Sequence, residues 1–156
     1  MSKFSSYFSD EFAALEQRSK DIDEILQDKM FLIGGDFYGI QKFIFDNLGS
    51  KNAAKVLRAK SAFCELFMVV LAKFICQKFS IDEKHILSCT AGKFEILSPK
   101  FDEATFKEIK GVVNAYFIKN FFGVSGVSLS CVECERADFT EPQRYKELRD
   151  KISKAV

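Results

Sequence analysis

Tryptophan is absent from this chain of 156 residues, and proline occurs only twice. So little proline leaves long stretches free to form helices and strands, and it argues against a linker-like chain. The apolar content of 47%, with 18 phenylalanines, argues against a disordered protein. We therefore expect one domain with a phenylalanine-rich core, since a chain of this length rarely divides.

The chain also has no large excess of charge, because it contains 23 basic and 22 acidic residues. The net charge of +1 provides no overall attraction to nucleic acid or to an anionic membrane. The five cysteines, an odd number without a signal-peptide pattern, indicate reduced thiols and a cytoplasmic location. The most apolar run, Leu66 to Ala72, is far shorter than the roughly 20 residues of a membrane span, so no membrane partner is expected.

Apolar periodicity predicts helices and strands along the whole chain. An amphipathic helix from Phe8 to about Gln27 would pack on the domain or on a neighbouring protein. After it we predict a buried strand at 31–35 and a helix from Ile40 to near Gly49-Ser50 that buries Ile40, Phe43 and Ile44. A long helix at 53–79 follows, and its apolar stripe includes Phe63, Leu66, Phe67, Val70, Leu71, Phe74 and Ile75. The remaining elements are hairpin strands at 85–89 and 93–97, a helix from Asp102 to Gly123, a strand at 127–132, and a final helix opened by a capping box at 140–143.

The order of these elements predicts the fold class. Residues 31–136 read strand, helix, helix, strand, strand, helix, strand, which is typical of a ferredoxin-like α+β palm. Such a palm has a four-stranded antiparallel sheet with helices on one face. We expect a lead-in helix within residues 1–30 and a further helix within 137–156.

The most informative stretch is Gly34-Gly35-Asp36, followed by Gly39. A strand that ends there and restarts as a helix would place a carboxylate and free backbone N–H groups at one edge of the sheet. Such an edge suits a metal ion or a phosphate. Alternatively, Asp36 caps the following helix, and one residue can do both.

Three segments then resemble one family, the first palm of the large subunit in type III-A (Csm-type) CRISPR effector complexes. Residues 35–44 are similar to its Gly-Asp-x-Ser-Gly-Ile-Gln-x-Phe-Ile signature. Residues 53–61 are similar to its Ala-Ala-Lys-x-Leu-Arg-x-(Arg/Lys)-Ser segment, and 90–94 to its Ala-Gly-Gly-Lys-Phe hairpin. The three motifs occur in the family's order, and the resemblance covers about residues 31–136.

The resemblance implies a function in antiviral defence. Members of this family are several times longer, join an HD nuclease domain to two palms, and make cyclic oligoadenylates from ATP when the complex binds target RNA. Their second palm is catalytic, and their first palm contributes to a composite pocket for ATP with Mg²⁺ or Mn²⁺. The expected partners are a second palm of the same protein, other effector subunits and guide RNA.

Carried onto this chain, the resemblance implies a set of nucleotide-binding residues, with Asp36 also as a metal ligand: Asp36, Phe37, Tyr38, Gly39, Lys60 and Lys93. Tyr38 replaces the usual serine, and Lys93 and Phe94 stand where a catalytic hairpin carries its two aspartates. Two-metal chemistry needs carboxylates from both places. We therefore expect no catalytic residue here and no tightly bound ATP on this chain alone.

Other features have plainer interpretations. Lys55, Arg58 and Lys60 form a basic patch that is either a solvated face or a contact for phosphate or another subunit. Cys131 and Cys134 would point to opposite faces of a strand and so do not form a zinc site. Two alternative functions remain, a stand-alone homodimeric nucleotidyl cyclase and a ferredoxin-like interaction domain without a nucleotide site.

Overall fold

In a computed structural model of the chain, the structure describes residues 3–46 and 52–155. Its elements follow the predicted order: α1 (Lys3–Ile25), β1 (Met30–Tyr38), α2 (Ile40–Phe45), α3 (Ala53–Phe79), β2 (Ile86–Thr90), β3 (Lys93–Ser98), α4 (Glu103–Phe121), β4 (Gly126–Cys134), α5 (Ala137–Thr140) and α6 (Pro142–Lys154), with a 3₁₀ turn at Glu83–His85 before β2.

The strands form one antiparallel sheet in the order β2-β3-β1-β4, which confirms the predicted ferredoxin-like palm. The central strand β1 is longer than predicted. It continues through Gly34, Gly35 and Asp36 to Tyr38, because each of these residues keeps a partner on β4. The acidic residue therefore lies within a strand and not in the turn that follows it.

One face of the sheet carries an aromatic-rich core under α3 and α4. Phe117 on α4 meets Phe37 of β1 at a ring-centroid distance of 5.4 Å and Phe67 of α3 at 5.0 Å. The predicted stripe of α3 was partly wrong, since Leu66 and Val70 are 65% and 57% exposed. The helix instead buries the side that carries Cys64, Met68, Leu71, Ala72, Ile75, Cys76 and Phe79.

The opposite face is covered in part by the terminal helices. Ile25, at the end of α1, packs with Leu148 and Ile152 of α6 against buried sheet residues, namely Met30, Leu32, Leu97 and Cys134. The C-terminal end of α1 and helix α6 therefore pack on the domain, which settles the question left open by the sequence for this part of α1 only. Phe12 and Leu15 of α1 remain more than 60% exposed.

Helix ends differ from the predictions in detail. Thr140 ends α5 and does not begin α6, so the predicted capping box is wrong, although Pro142 does occupy the first turn of α6. As predicted, α4 opens at Asp102, and the structure shows that Asp102 caps the helix, with the Thr105 amide donating to its Oδ2 at 2.7 Å. The predicted end of α2 near Gly49-Ser50 lies outside the described residues. Ile40, Phe43 and Ile44 are only partly buried against the core.

The sheet has two edge strands, β2 and β4, and β2 is paired with β3. Arg18 of α1 reaches the β2 edge, where its guanidinium donates to the carbonyl of Lys84 at 3.1 Å and to that of Ile86. His85 Nδ1 lies 2.6 Å from the Leu97 carbonyl oxygen. Within residues 3–46 and 52–155, no helix combines the length and the apolarity that a membrane crossing requires.

Candidate functional site

The two adjacent glycines of β1 allow close packing on both faces of the strand. A Cβ on Gly35 would overlap the ring of Phe94, the residue opposite it on β3. A Cβ on Gly34 would lie only 2.9 Å from Cδ1 of Ile152 on α6. The glycines therefore bring the core ring and the last helix against the strand, and they do not form the turn that the sequence indicated.

Asp36 faces Lys93 directly across the β1–β3 pair. The Lys93 ammonium lies 2.8 Å from Asp36 Oδ2, and the side chains of Lys93 and Asp36 are 68% and 34% exposed. The interpretation of Asp36 as a helix cap is wrong, because the residue before α2 is Gly39, which has φ 70° and accepts a hydrogen bond from the Phe43 amide through its own carbonyl. The Asp36 carboxylate is instead paired with the Lys93 ammonium group.

The neighbours of Asp36 lie on alternate sides of β1. Phe37 is 3% exposed and belongs to the core, while its amide donates to the Gly92 carbonyl at 2.8 Å. Tyr38 is 48% exposed on the same side as Asp36, and its ring lies over Gly126, where a Cβ would collide with it. The larger side chain that replaces the family serine is therefore accommodated by a glycine on β4.

The structure places Lys60 away from this pair, at the end of α2. Its ammonium donates to the carbonyls of Phe43 and Asp46, each at 2.8 Å, and lies 5.5 Å from the Phe43 ring centroid. Lys60 thus donates hydrogen bonds to two carbonyl groups at the C-terminal end of α2. Lys55 and Arg58 are exposed on α3.

A second ion pair lies beside the first and was not predicted. Glu95, two residues after Lys93 on the same side of β3, pairs with Arg149 of α6. The two pairs border a cavity of about 150 Å³ whose lining includes Gly34, Ser130 and Ser153. Alternation along β3 could have placed Glu95 on this side, but no local pattern in the sequence reports where Arg149 meets the sheet.

This arrangement suits the binding of an anion or a polar group better than two-metal catalysis. Phe94, at the second aspartate position of a catalytic hairpin, is 1% exposed within the core. Among the residues that the structure describes, no three acidic, histidine or cysteine side chains are placed to hold a metal ion. An exposed part of the sheet therefore carries three polar groups: the neutralised carboxylate of Asp36, the phenol of Tyr38 and the ammonium of Lys93.

The two cysteines of β4 lie on opposite faces, as predicted. Cys131 packs against the α3–α4 core, whereas Cys134 belongs to the core under the terminal helices. Burial raises the pKa of each thiol to about 12. Both thiols are therefore protonated near neutral pH and behave as small apolar groups.

A family model described as Csm1 subunit domain B matches residues 29–156. Among curated relatives, the CRISPR system single-strand-specific deoxyribonuclease Cas10/Csm1 (subtype III-A) of Methanocaldococcus jannaschii is 30% identical over 123 residues, which cover 79% of this chain and 14% of that protein. The protein of the same name from Enterococcus italicus is 26% identical over 133 residues, covering 83% of this chain and 18% of that protein.

Solved structures show the same fold. A Csm1-Csm4 cassette in complex with cA3 matches with a TM-score of 0.73 at 22% identity, over 84% of this chain and 19% of that chain. Csm1 from T. onnurineus matches with a TM-score of 0.64 at 24% identity, over 80% of this chain and 19% of that chain. The chain thus spans less than a fifth of the length of these relatives.

Proposed function

The chain belongs to the Csm1 subunit domain B family, the palm of a type III-A CRISPR large subunit, and from this we propose that it supplies one half of a composite ATP site. The observation that carries the proposal is the Asp36–Lys93 pair on the exposed side of the sheet. A second palm would supply the other half, together with the carboxylates that bind Mg²⁺ or Mn²⁺. The parent protein would use the site to make cyclic oligoadenylates in antiviral defence.

In this proposal Lys93 neutralises a phosphate of the nucleotide. Its side chain is 68% exposed, so its ammonium can turn from Asp36 towards a phosphate without leaving a buried position. Tyr38, on the same side of β1, would donate its phenolic hydroxyl in place of the family's serine. Gly39 would allow close approach of the chain at the turn after Tyr38. Phe37 would act from the core by fixing the strand, and Lys60 by stabilising the end of α2.

The proposed half-site is not catalytic on its own. A two-metal transfer requires several carboxylates that converge on two ions. Here Asp36 is paired with an ammonium, and the adjoining hairpin position, Phe94, is apolar and buried. ATP and its metal would therefore bind across the two palms and only weakly to this chain alone.

Similar proteins support the proposed ligands and partners. Solved relatives include Csm1-Csm4 cassettes in complex with AMPPNP and with one ATP. By analogy, we propose adenine nucleotides as ligands, and a Csm4-type subunit and guide RNA among the partners of the parent complex. The exposed basic residues Lys55 and Arg58 on α3 would contact RNA or a neighbouring subunit.

The first test is the length of the native gene product, which we expect to continue into a second palm with an acidic hairpin. In that protein, Lys93→Glu should reduce cyclic oligoadenylate formation at least tenfold at limiting ATP. Lys119→Glu, which reverses a charge on α4, is the matched control. Unchanged dependence on ATP in Lys93→Glu would contradict the proposal.

A second test uses this chain alone with ATP and Mn²⁺, followed by chromatography of the products. We expect no cyclic or oligomeric product. A product that disappears in Asp36→Ala would instead establish a homodimeric cyclase and would refute the non-catalytic assignment.

A further inference from the structure

Arg149 is placed where it can set the charge of the proposed ATP half-site. It lies on α6 three residues before Ile152, whose side chain packs on Gly34, so the helix is held beside the site by apolar contact. Its guanidinium pairs with Glu95, and the side chains of Arg149 and Glu95 are 43% and 20% exposed. Glu95 is thus the more shielded of the two carboxylates on this side of the sheet.

The summed charge of Asp36, Lys93, Glu95 and Arg149 shows what Arg149 contributes to this side of the sheet. Asp36, Lys93 and Glu95 alone would give this part of the sheet a net charge of −1. Two carboxylates on neighbouring strands, both on one side of the sheet, would attract a divalent cation and repel a phosphate. With Arg149 the four groups sum to zero.

The pairing of Arg149 with Glu95 accompanies the pairing of Lys93 with Asp36. A lysine ammonium has three donors, and Lys93 lies opposite Asp36 and two residues from Glu95 on one strand. The guanidinium pairs with Glu95, and the ammonium pairs with Asp36 at 2.8 Å; the Lys93 side chain is 68% exposed, so its other donors can reach a ligand.

We propose that Arg149 is a specificity-determining residue of this face: by neutralising Glu95, it makes the face accept a phosphate group and prevents Asp36 and Glu95 from binding a divalent cation. In assigning the face to a phosphate, the inference rests on the function proposed above. The exclusion of the metal is a property of this chain alone, and it can be measured without nucleotide.

The test is a titration of this chain with Mn²⁺, followed by paramagnetic broadening of the amide signals of Gly34 and Gly35 in NMR spectra. The unchanged protein should show little broadening at these two glycines. Arg149→Gln should show it at a Mn²⁺ concentration at least tenfold lower, and adding Lys93→Gln should lower that concentration further. Adding Asp36→Asn to the double variant should remove the effect.

Two control variants distinguish the loss of the Arg149 charge from a change in the structure of α6. Arg144→Gln removes a cation of the same helix that pairs instead with Glu135 and Asp138, so it should leave the glycine signals unchanged. Arg149→Lys should restore the behaviour of the unchanged protein, because an ammonium can also neutralise Glu95. A thermal melt of each variant shows whether α6 remains folded.

The proposal is overturned if Arg149→Gln and the Lys93→Gln/Arg149→Gln variant, both folded, broaden these glycines no more than the unchanged protein does. It is also overturned if Arg149→Lys behaves like Arg149→Gln. Either result would leave the ATP test with Lys93→Glu unaffected. The reverse outcome is also distinguishable. If Arg149→Gln binds Mn²⁺ as expected but Lys93→Glu leaves the dependence on ATP unchanged, the composite ATP site is refuted and the exclusion of the metal by Arg149 stands.

Discussion

The two faces of the sheet are built on different principles. Under α3 and α4, phenylalanine rings interlock around Phe117, and the contacts are apolar. On the other face, a smaller apolar cluster under α1 and α6 adjoins the ion pairs of Asp36 and Glu95. The first face therefore provides most of the stability, and the second leaves room for charged groups that contribute little to it.

The largest effect that would test this contrast is the removal of a central ring. Phe117→Ala should lower the free energy of unfolding by about 4 kcal/mol, because it leaves a cavity in a close-packed core. Leu148→Ala on the other face should cost about 2 kcal/mol, since α6 covers only part of the sheet. Urea denaturation of both variants measures the difference, and an equal or larger loss in Leu148→Ala would break the comparison.

Gly35→Ala tests how closely the strand is approached by the aromatic core. Its Cβ would overlap the Phe94 ring, so we expect a loss of about 1–3 kcal/mol in the free energy of unfolding. Gly111→Ala is the matched control, because a Cβ added to this glycine of α4 would meet nothing within 4 Å. That change should raise the stability by about 0.5–1 kcal/mol. A neutral Gly35→Ala would show that the ring moves aside at no cost.

Periodicity and motif spacing predicted much of the fold, but less of the candidate site. The ends of α3 and the hairpin strands were foreseen within a residue or two, because apolar repeats and glycines mark them. The exposure of Leu66 and Val70 was not foreseen, since the run from Leu66 to Ala72 is apolar on every side of the helix and does not report which side meets the sheet. The pairing of Asp36 with Lys93 depends on the register of two strands, and the pairing of Glu95 with Arg149 depends on where α6 docks on the sheet. Neither can be read from a short stretch of sequence.

A smaller effect concerns the cap of the helix that covers the aromatic face. Hydrogen bonds donated by the Thr105 side chain and amide hold the pKa of Asp102 below its usual range. A carboxyl group with a lowered pKa stabilises the fold above its unfolded pKa, near 4, and loses this contribution as the pH falls through the folded value. The difference in melting temperature between the unchanged protein and Asp102→Ala should therefore shrink from pH 5 towards pH 2.

Asp102→Asn is the control for this measurement. Asparagine keeps the cap but does not titrate, so its advantage over alanine should stay constant across the same pH range. A constant difference for aspartate as well would mean that the charge of Asp102 is irrelevant to α4.

The smallest expected effect is that of Lys93→Gln on stability. The pair with Asp36 is largely exposed, so its loss should cost at most about 1 kcal/mol in urea denaturation. A loss of several kcal/mol would mean that the charged face is structural in the way that the aromatic face is. Lys29→Gln, which disrupts an exposed pair with Glu133, provides the reference.

The contact of Arg18 with the edge of β2 bears on how the domain avoids sticking to other copies of itself. An outer strand offers backbone groups to any other extended chain, and proteins commonly protect such edges with charge or with a covering element. Arg18 does both, because its guanidinium occupies the carbonyls of Lys84 and Ile86 while α1 lies beside them. A version that begins at residue 29, where the family match begins, would expose this edge as a template for aggregation.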